Sequence, residues 1–244
     1  KMLVSEGDKV AKGTPLFCNK DFPDVVFVSP CKGEIKSINR GEKRVLLSVE
    51  IAVESLAAKS KNYIKEHNKV KNKEEFVKKC ILSSGLWTSF LTRPYSKIPN
   101  PDSIPSSIFI TAMDTEPLSP HADLIIKEYI DAFNEGVSKI SMLTKGKVFV
   151  CKEEKTTFDS KDCEVHNFKG PHPAGLVGTH MHFLDTPSAN KTVWSIGYQD
   201  VISIGKLFLS GYLDTEKVIS ICGPLAKNPR LIRTYEGVSL KDLL

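Results

Sequence analysis

The densest group of residues able to do chemistry is Gly170-Pro171-His172-Pro173-Ala174-Gly175-Leu176-Val177-Gly178-Thr179-His180-Met181-His182. Its glycines permit positive φ and close backbone approach, and its prolines stiffen the chain between them. His172, His180 and His182 supply donors, acceptors and protons that move near neutral pH. On a strand, His180 and His182 would face the same side. A metal site needs more ligands than this, and Asp185 is the one nearby carboxylate, so no metal is expected. The segment reads either as a ligand-lining or interface loop, or as a structural glycine turn.

A second group is Leu86-Trp87-Thr88-Ser89-Phe90-Leu91-Thr92-Arg93-Pro94-Tyr95-Ser96-Lys97-Ile98-Pro99. Aromatics beside Arg93 and Lys97 could hold a flat ring that bears an anionic or carbonyl group; a packed connector with exposed charges is the alternative. A third is Ala112-Met113-Asp114-Thr115-Glu116-Pro117, which follows an apolar run. Ligands of open α/β sheets gather at the carboxyl ends of strands, and paired carboxylates there could do acid–base work. The simpler expectation is that Asp114 or Thr115 caps the next turn. The chain has no Gly-x-Ser-x-Gly, no phosphate loop ending in Lys-Ser/Thr and no Gly-x-Gly-x-x-Gly. No residue is assigned a catalytic role.

The elements that must position these groups belong to a chain of 244 residues, 41% hydrophobic and 26% charged, ordinary values for a globular protein. The net charge of +5 suits an acidic partner or an anionic membrane surface without demanding either. The lysines are scattered except between Lys59 and Lys79, and no basic stripe with interleaved aromatics occurs, so no nucleic acid partner is expected. No run approaches the roughly 20 apolar residues that span a bilayer. Lys1-Met2-Leu3 leads straight into Ser5-Glu6-Gly7-Asp8 without a leader pattern, which points to a cytoplasmic protein with any membrane association peripheral. The six cysteines are dispersed with no Cys-x-x-Cys, which signals neither zinc nor an iron–sulfur cluster and favours reduced thiols.

Residues 1–54 read as short strands punctuated by glycine and proline, from Val4–Val10 through Ser29-Pro30-Cys31-Lys32-Gly33 to Val45–Ile51. This pattern resembles the β-sandwich of biotinyl and lipoyl carriers. Lys32 sits near the turn where a carrier presents its modified lysine, but Cys31 and Gly33 flank it, so a structural sandwich is the expectation. Residues 55–82 read as a linker and then a surface helix around Phe76, Val77 and Ile81. Ser107–Met113 is a buried strand. Leu124, Ile125, Ile126, Tyr129, Ile130 and Phe133 repeat at helical spacing, with Gly136 placed to stop that helix. Lys147–Cys151 and Cys163–His166 are further strands. Lys191–Ile196 then leads into a helix over Tyr198–Leu209 with Asp200 in its first turn. Val218–Gly223 and Leu231–Tyr235 read as strands of another small domain, and both ends of the chain read as cuts through domains.

Several stretches, in this order, resemble the NqrA family, the A subunit of the Na+-translocating NADH:quinone oxidoreductases. They are Gly41-Glu42-Lys43-Arg44-Val45-Leu46, Ser84-Gly85-Leu86-Trp87-Thr88, Thr92–Pro99, Ala112–Pro117, Leu143–Val148, Gly170–Gly178 and Ser188–Trp194 leading to Tyr198-Gln199-Asp200-Val201. That family is similar to the flavin subunit of complex I and to the C subunit of Rnf-type complexes. Flavin-binding relatives carry a glycine-rich loop after Ser-Gly-Leu, of the kind GRGGAGFP. Here Trp87–Pro94 replaces those glycines with bulky side chains, so backbone amides there could not cradle a phosphate. Gly223–Pro229 and Glu236–Leu240 resemble the opening of the family's β-grasp domain.

The fold expected is α/β: a partial barrel-sandwich over 1–54, a Rossmann-like domain over 55–212 similar to the complex I flavin subunit, and the start of a truncated β-grasp domain over 213–244. The resemblance implies a peripheral subunit on the cytoplasmic face of the bacterial inner membrane. Its complex would move electrons from NADH to ubiquinone and transport Na+. The partners implied are the other subunits, an integral-membrane one above all, and quinone. NADH, flavin and iron–sulfur chemistry would lie on those other subunits. Trp87, Arg93, Lys97, His172, Pro173, His180 and His182 are the candidates for a quinone-lining or interface surface. The alternative readings are a non-catalytic docking scaffold and an Rnf-type electron-transport subunit.

Overall fold

The computed structural model describes residues 1–156 and 162–243. The first segment forms the strands β1 (Lys9–Val10), β2 (Pro15–Cys18), β3 (Val26–Val28), β4 (Lys32–Arg40) and β5 (Leu46–Ser55). One antiparallel sheet runs β1-β4-β5, and β2 pairs with β3 beside it. Val10, Leu16 and Ile35 are buried between the two, with Phe17, Ile38, Val49 and Ile51 packed around them. This is the sandwich expected from the turn punctuation. Lys32 pairs with Glu54 at 2.9 Å across the hairpin.

The linker leads to α1 (Tyr63–Glu66) and α2 (Lys73–Ser83). Each starts on an asparagine. The side chains of Asn62 and Asn72 accept the backbone N–H of Lys65 and Glu75, both at 2.9 Å, and so satisfy donors that a helix start leaves free. Beyond them come β6 (Leu91–Arg93), β7 (Ser107–Ala112), α3 (Ala122–Glu128), α4 (Ile130–Ser141), β8 (Lys147–Glu153), β9 (Glu164–Phe168), α5 (Val177–Leu184), β10 (Val193–Gly197) and α6 (Tyr198–Ser210). Their sheet has the order β6-β10-β7-β8-β9, with β10, β7, β8 and β9 parallel and β6 antiparallel at the edge. The direction of winding therefore reverses between β7 and β10.

Alternation along each strand covers both faces of this sheet. Ile108, Ile110, Val148, Val150, Trp194 and Ile196 face the large core made with α2, α3, α4 and α6. Phe109, Phe149, Cys151 and Val193 face the other way, onto Met181 of α5.

Gly136 does not stop a helix. The helical repeat breaks at Tyr129, between α3 and α4, and Gly136 lies inside α4. It faces α6: a Cβ at Gly136 would fall 2.1 Å from the Val201 carbonyl oxygen, and one at Gly205 1.6 Å from that of Ala132. Two glycines thus let α4 and α6 approach backbone to backbone. After α6, β11 (Glu216–Ile221) and β12 (Arg230–Tyr235) form an antiparallel hairpin. Lys217 fixes it to α6, with its ammonium 2.6 Å from Asp200 and 3.3 Å from Glu236.

Candidate functional site

The glycine-rich segment leaves β9 at Phe168 and turns into α5. Two close turns build it: Ala174 N–H donates to Pro171 O and Leu176 N–H to Pro173 O, both at 2.9 Å. The Thr179 hydroxyl donates back to Pro173 O at 2.9 Å. The segment lies against the loop that follows β7. Gly175 N–H donates to the Thr115 hydroxyl oxygen at 2.8 Å, and His172 Nδ1 lies 3.4 Å from the same oxygen. Asp114 accepts Glu116 N–H at 2.9 Å, the turn-capping role expected of it. Tyr198, buried at the start of α6, has its phenol pKa raised by burial; a hydrogen bond with Gln199 opposes this and the charge of Asp114 adds to it.

His180 and His182 lie on a helix, not a strand, so they do not share a face. His180 is fully buried and its ring packs 4.4 Å from that of Phe168. Its Nε2 sits 2.9 Å from Ala174 O, so that nitrogen carries the proton. Its Nδ1 has no partner among the described residues. Desolvation lowers its pKa, and the bond to Ala174 opposes this only in part. His182 is exposed and meets Phe183 edge-on at 5.1 Å. Asp185 lies at the far end of α5, where it accepts the Ser107 hydroxyl at 2.7 Å and pairs with Lys191. Among the described residues no three His, Cys, Asp or Glu side chains gather as a metal site.

The second group splits. Trp87 is 1% exposed, in a single 3-10 turn after Gly85, and its indole N–H donates to Pro99 O at 3.0 Å. Its ring meets Trp194 edge-on at 5.4 Å, and Phe90 lies 5.7 Å from both. Arg93 ends β6 opposite Val193. Lys97 closes the following turn through paired bonds with Thr92, one of 2.7 Å between backbone groups and one of 3.2 Å to the Thr92 hydroxyl, leaving Tyr95 77% exposed. Trp87 is therefore interior while Lys97 is on the surface. His172 and Pro173 are exposed on the glycine-rich segment.

A cavity of about 300 Å³ adjoins the tryptophan pair. Trp87, Trp194, Met142, Leu143 and Ile104 give it an apolar wall, and Lys78, Asp102 and Lys145 line its rim. Trp194 is 1% exposed and its indole N–H has no hydrogen-bond partner among the described residues. Trp194, Met142 and Leu143 are absent from the sequence-derived candidates. They reach the cavity only because β10, α2 and the end of α4 converge there, and nothing in the local sequence signals that.

A small antiparallel sandwich joined to a mostly parallel α/β sheet defines a two-domain class of protein. Residues 1–54 match the family model described as the NqrA N-terminal barrel-sandwich hybrid domain, and residues 72–213 match that of the NqrA second alpha/beta domain. The chain belongs to the NqrA family. It is 48% identical over 245 residues to the A subunit of the Na(+)-translocating NADH-quinone reductase of Histophilus somni (strain 2336), covering 99% of this chain and 55% of that protein. It is 47% identical over 245 residues to the same subunit of Marinomonas sp. (strain MWYL1), covering 100% of this chain and 55% of that protein. It is 48% identical over 244 residues to that of Vibrio atlanticus (strain LGP32), with coverage of 99% and 55%. The chain thus spans about half the length of these relatives.

Proposed function

We propose that this chain acts within a Na+-translocating NADH:quinone oxidoreductase as part of its NqrA component, and that it contributes a surface for ubiquinone. The names of the relatives and the matched family models support the first part. The observation that carries the second is the cavity beside Trp87 and Trp194, whose apolar wall suits a flat ring. Trp87 lines the ring. Arg93, Lys97, His172, Pro173 and His182 form outer surfaces that dock partner subunits, an integral-membrane one among them, and His180 braces the glycine-rich segment from within.

The parallel sheet with its reversal between β7 and β10 supports a Rossmann-like reading related to the complex I flavin subunit. Flavin, NADH and iron–sulfur centres belong to other subunits in this proposal. What supports that is the state of the stretch that relatives fill with glycines: Trp87 and Phe90 occupy it as core, where a bare backbone would have to meet a phosphate. Residues 213–244 are read as the opening of a β-grasp domain. The protein sits peripherally on the cytoplasmic face of the membrane. Among the described residues no helix is long and apolar enough to cross one.

The two tryptophans of the chain both line the cavity, so fluorescence excited selectively at tryptophan reports on it. Titration with a short-chain ubiquinone gives saturable quenching that Leu143→Lys, at the cavity wall, weakens. Quenching that rises linearly without saturation, in the chain as in free tryptophan, would overturn the quinone assignment.

A further inference from the structure

The charge of this chain is concentrated in one place. Residues 59–79 contain eight lysines (59, 61, 65, 69, 71, 73, 78 and 79) and three glutamates (66, 74 and 75), a net of +5. The whole chain is also +5, so everything else sums to zero. Within the stretch, Lys61 pairs with Glu66 at 2.7 Å, Lys79 with Glu75 at 2.7 Å, and Lys78 with Asp102 at 3.4 Å. Lys65, Lys69, Lys71 and Lys73 have no ion pair among the described residues, and all four are exposed. They occupy the end of α1, the connecting turn and the first position of α2.

Local structure does not ask for them. Lys73 opens α2, where the helix dipole disfavours a cation. Four like charges in nine residues repel one another, and their exposed side chains contribute nothing to the core. They are lysines rather than arginines: hydrated point charges on flexible stems, without the planar fork that reads a particular carboxylate or phosphate. Such a group matches a smeared negative potential better than a shaped acidic pocket. The turn that carries them has no exposed large apolar residue between Lys59 and Lys79 to anchor a protein partner.

We infer that the α1–α2 turn, through Lys65, Lys69, Lys71 and Lys73, is an electrostatic docking surface for the anionic headgroups of a phospholipid bilayer. It would orient the chain on the membrane, and it stands whether or not the chain binds quinone. The attraction is summed over separate headgroups, each lysine adding its share, and it falls off within a Debye length.

The test is flotation of the full chain with vesicles of phosphatidylglycerol and phosphatidylcholine, and with phosphatidylcholine alone, at rising salt. The chain should float with the anionic vesicles only and release as salt increases. The combined variant Lys65→Gln, Lys69→Gln, Lys71→Gln and Lys73→Gln should lose about tenfold or more in partitioning. A control with the same charge change, Lys20→Gln, Lys36→Gln, Lys43→Gln and Lys227→Gln, should retain it. Circular dichroism verifies that both variants are folded. Equal loss in the two variants would reduce the effect to net charge and overturn the assignment. Absence of binding by the unaltered chain at low salt would also overturn it, and would turn the surface towards an acidic protein.

Discussion

Thr115 and Gly175 are joined by a 2.8 Å hydrogen bond from the glycine N–H to the threonine hydroxyl, across sixty positions of sequence. The bond ties the loop after β7 to the glycine-rich segment before α5. A Cβ at Gly175 would lie 2.7 Å from Thr115 N, which is backbone and cannot swing aside. Gly175→Ala should therefore destabilise the chain by about 2 kcal/mol through overpacking. Thr115→Val, which removes the acceptor and the longer His172 contact but leaves the backbone in place, should cost about 1 kcal/mol. Urea unfolding of the two variants checks the order; equal or smaller loss for Gly175→Ala would show that the segments part readily.

The two tryptophans differ in what their indole N–H does. That of Trp87 bonds Pro99 O, while that of Trp194 has no partner among the described residues. Both shrink by a similar volume on replacement by phenylalanine. Trp87→Phe strands a buried carbonyl, whereas Trp194→Phe removes an unsatisfied donor. Trp87→Phe should be the costlier by about 1 kcal/mol, measured by chemical denaturation.

Burial holds the pKa of His180 below its ordinary 6.5, and desolvation is also the leading cause of the lowering at His67. Above pH 6.5 both states of each histidine are neutral and stability is unaffected. As pH falls through 6.5 the unfolded chain takes up protons that the folded chain resists, so stability declines until the folded pKa is passed. The lowered carboxylates Asp185 and Asp214 act in a separate window, below their ordinary value of 3.8. Denaturation midpoints should drop between pH 7 and 5, and His180→Asn should flatten that slope. An unchanged slope in the variant would place the linkage elsewhere.

Lys217 holds the C-terminal hairpin to α6 through Asp200 and Glu236, with its own side chain only 16% exposed. Lys217→Met leaves two carboxylates facing each other without their cation. The expected loss is about 2 kcal/mol, less than for a fully buried pair because Asp200 and Glu236 keep some contact with water. Limited proteolysis should cut first within 211–235 in the variant and not in the unaltered chain.

Much of the sheet was legible. Ser107–Ala112, Lys147–Glu153 and Val193–Gly197 are apolar runs of strand length, and α6 carries a helical repeat bounded by two glycines. The region of His180 was not. Val177–Leu184 contains valine, threonine and phenylalanine, mixes strand and helix preferences over eight residues, and becomes a helix because Met181 packs on Phe109 and Phe149. Gly136 misled for a related reason. A glycine late in a helical repeat reads as a stop, and only the crossing of α4 by α6 reveals that it makes room for Val201.

Residue type and local order were enough to carry the family, the strand-rich start and α/β middle of the chain, and the lysine excess over 59–79. Which segments meet was settled in three dimensions alone. Thr115 finds Gly175, Trp194 meets Trp87 edge-on beside the cavity, and His180 is buried while His182 stays outside. Those relations join residues up to 107 positions apart, as Trp87 and Trp194 are. They depend on strand order and helix crossing, which the packing of the whole core sets and no local pattern records.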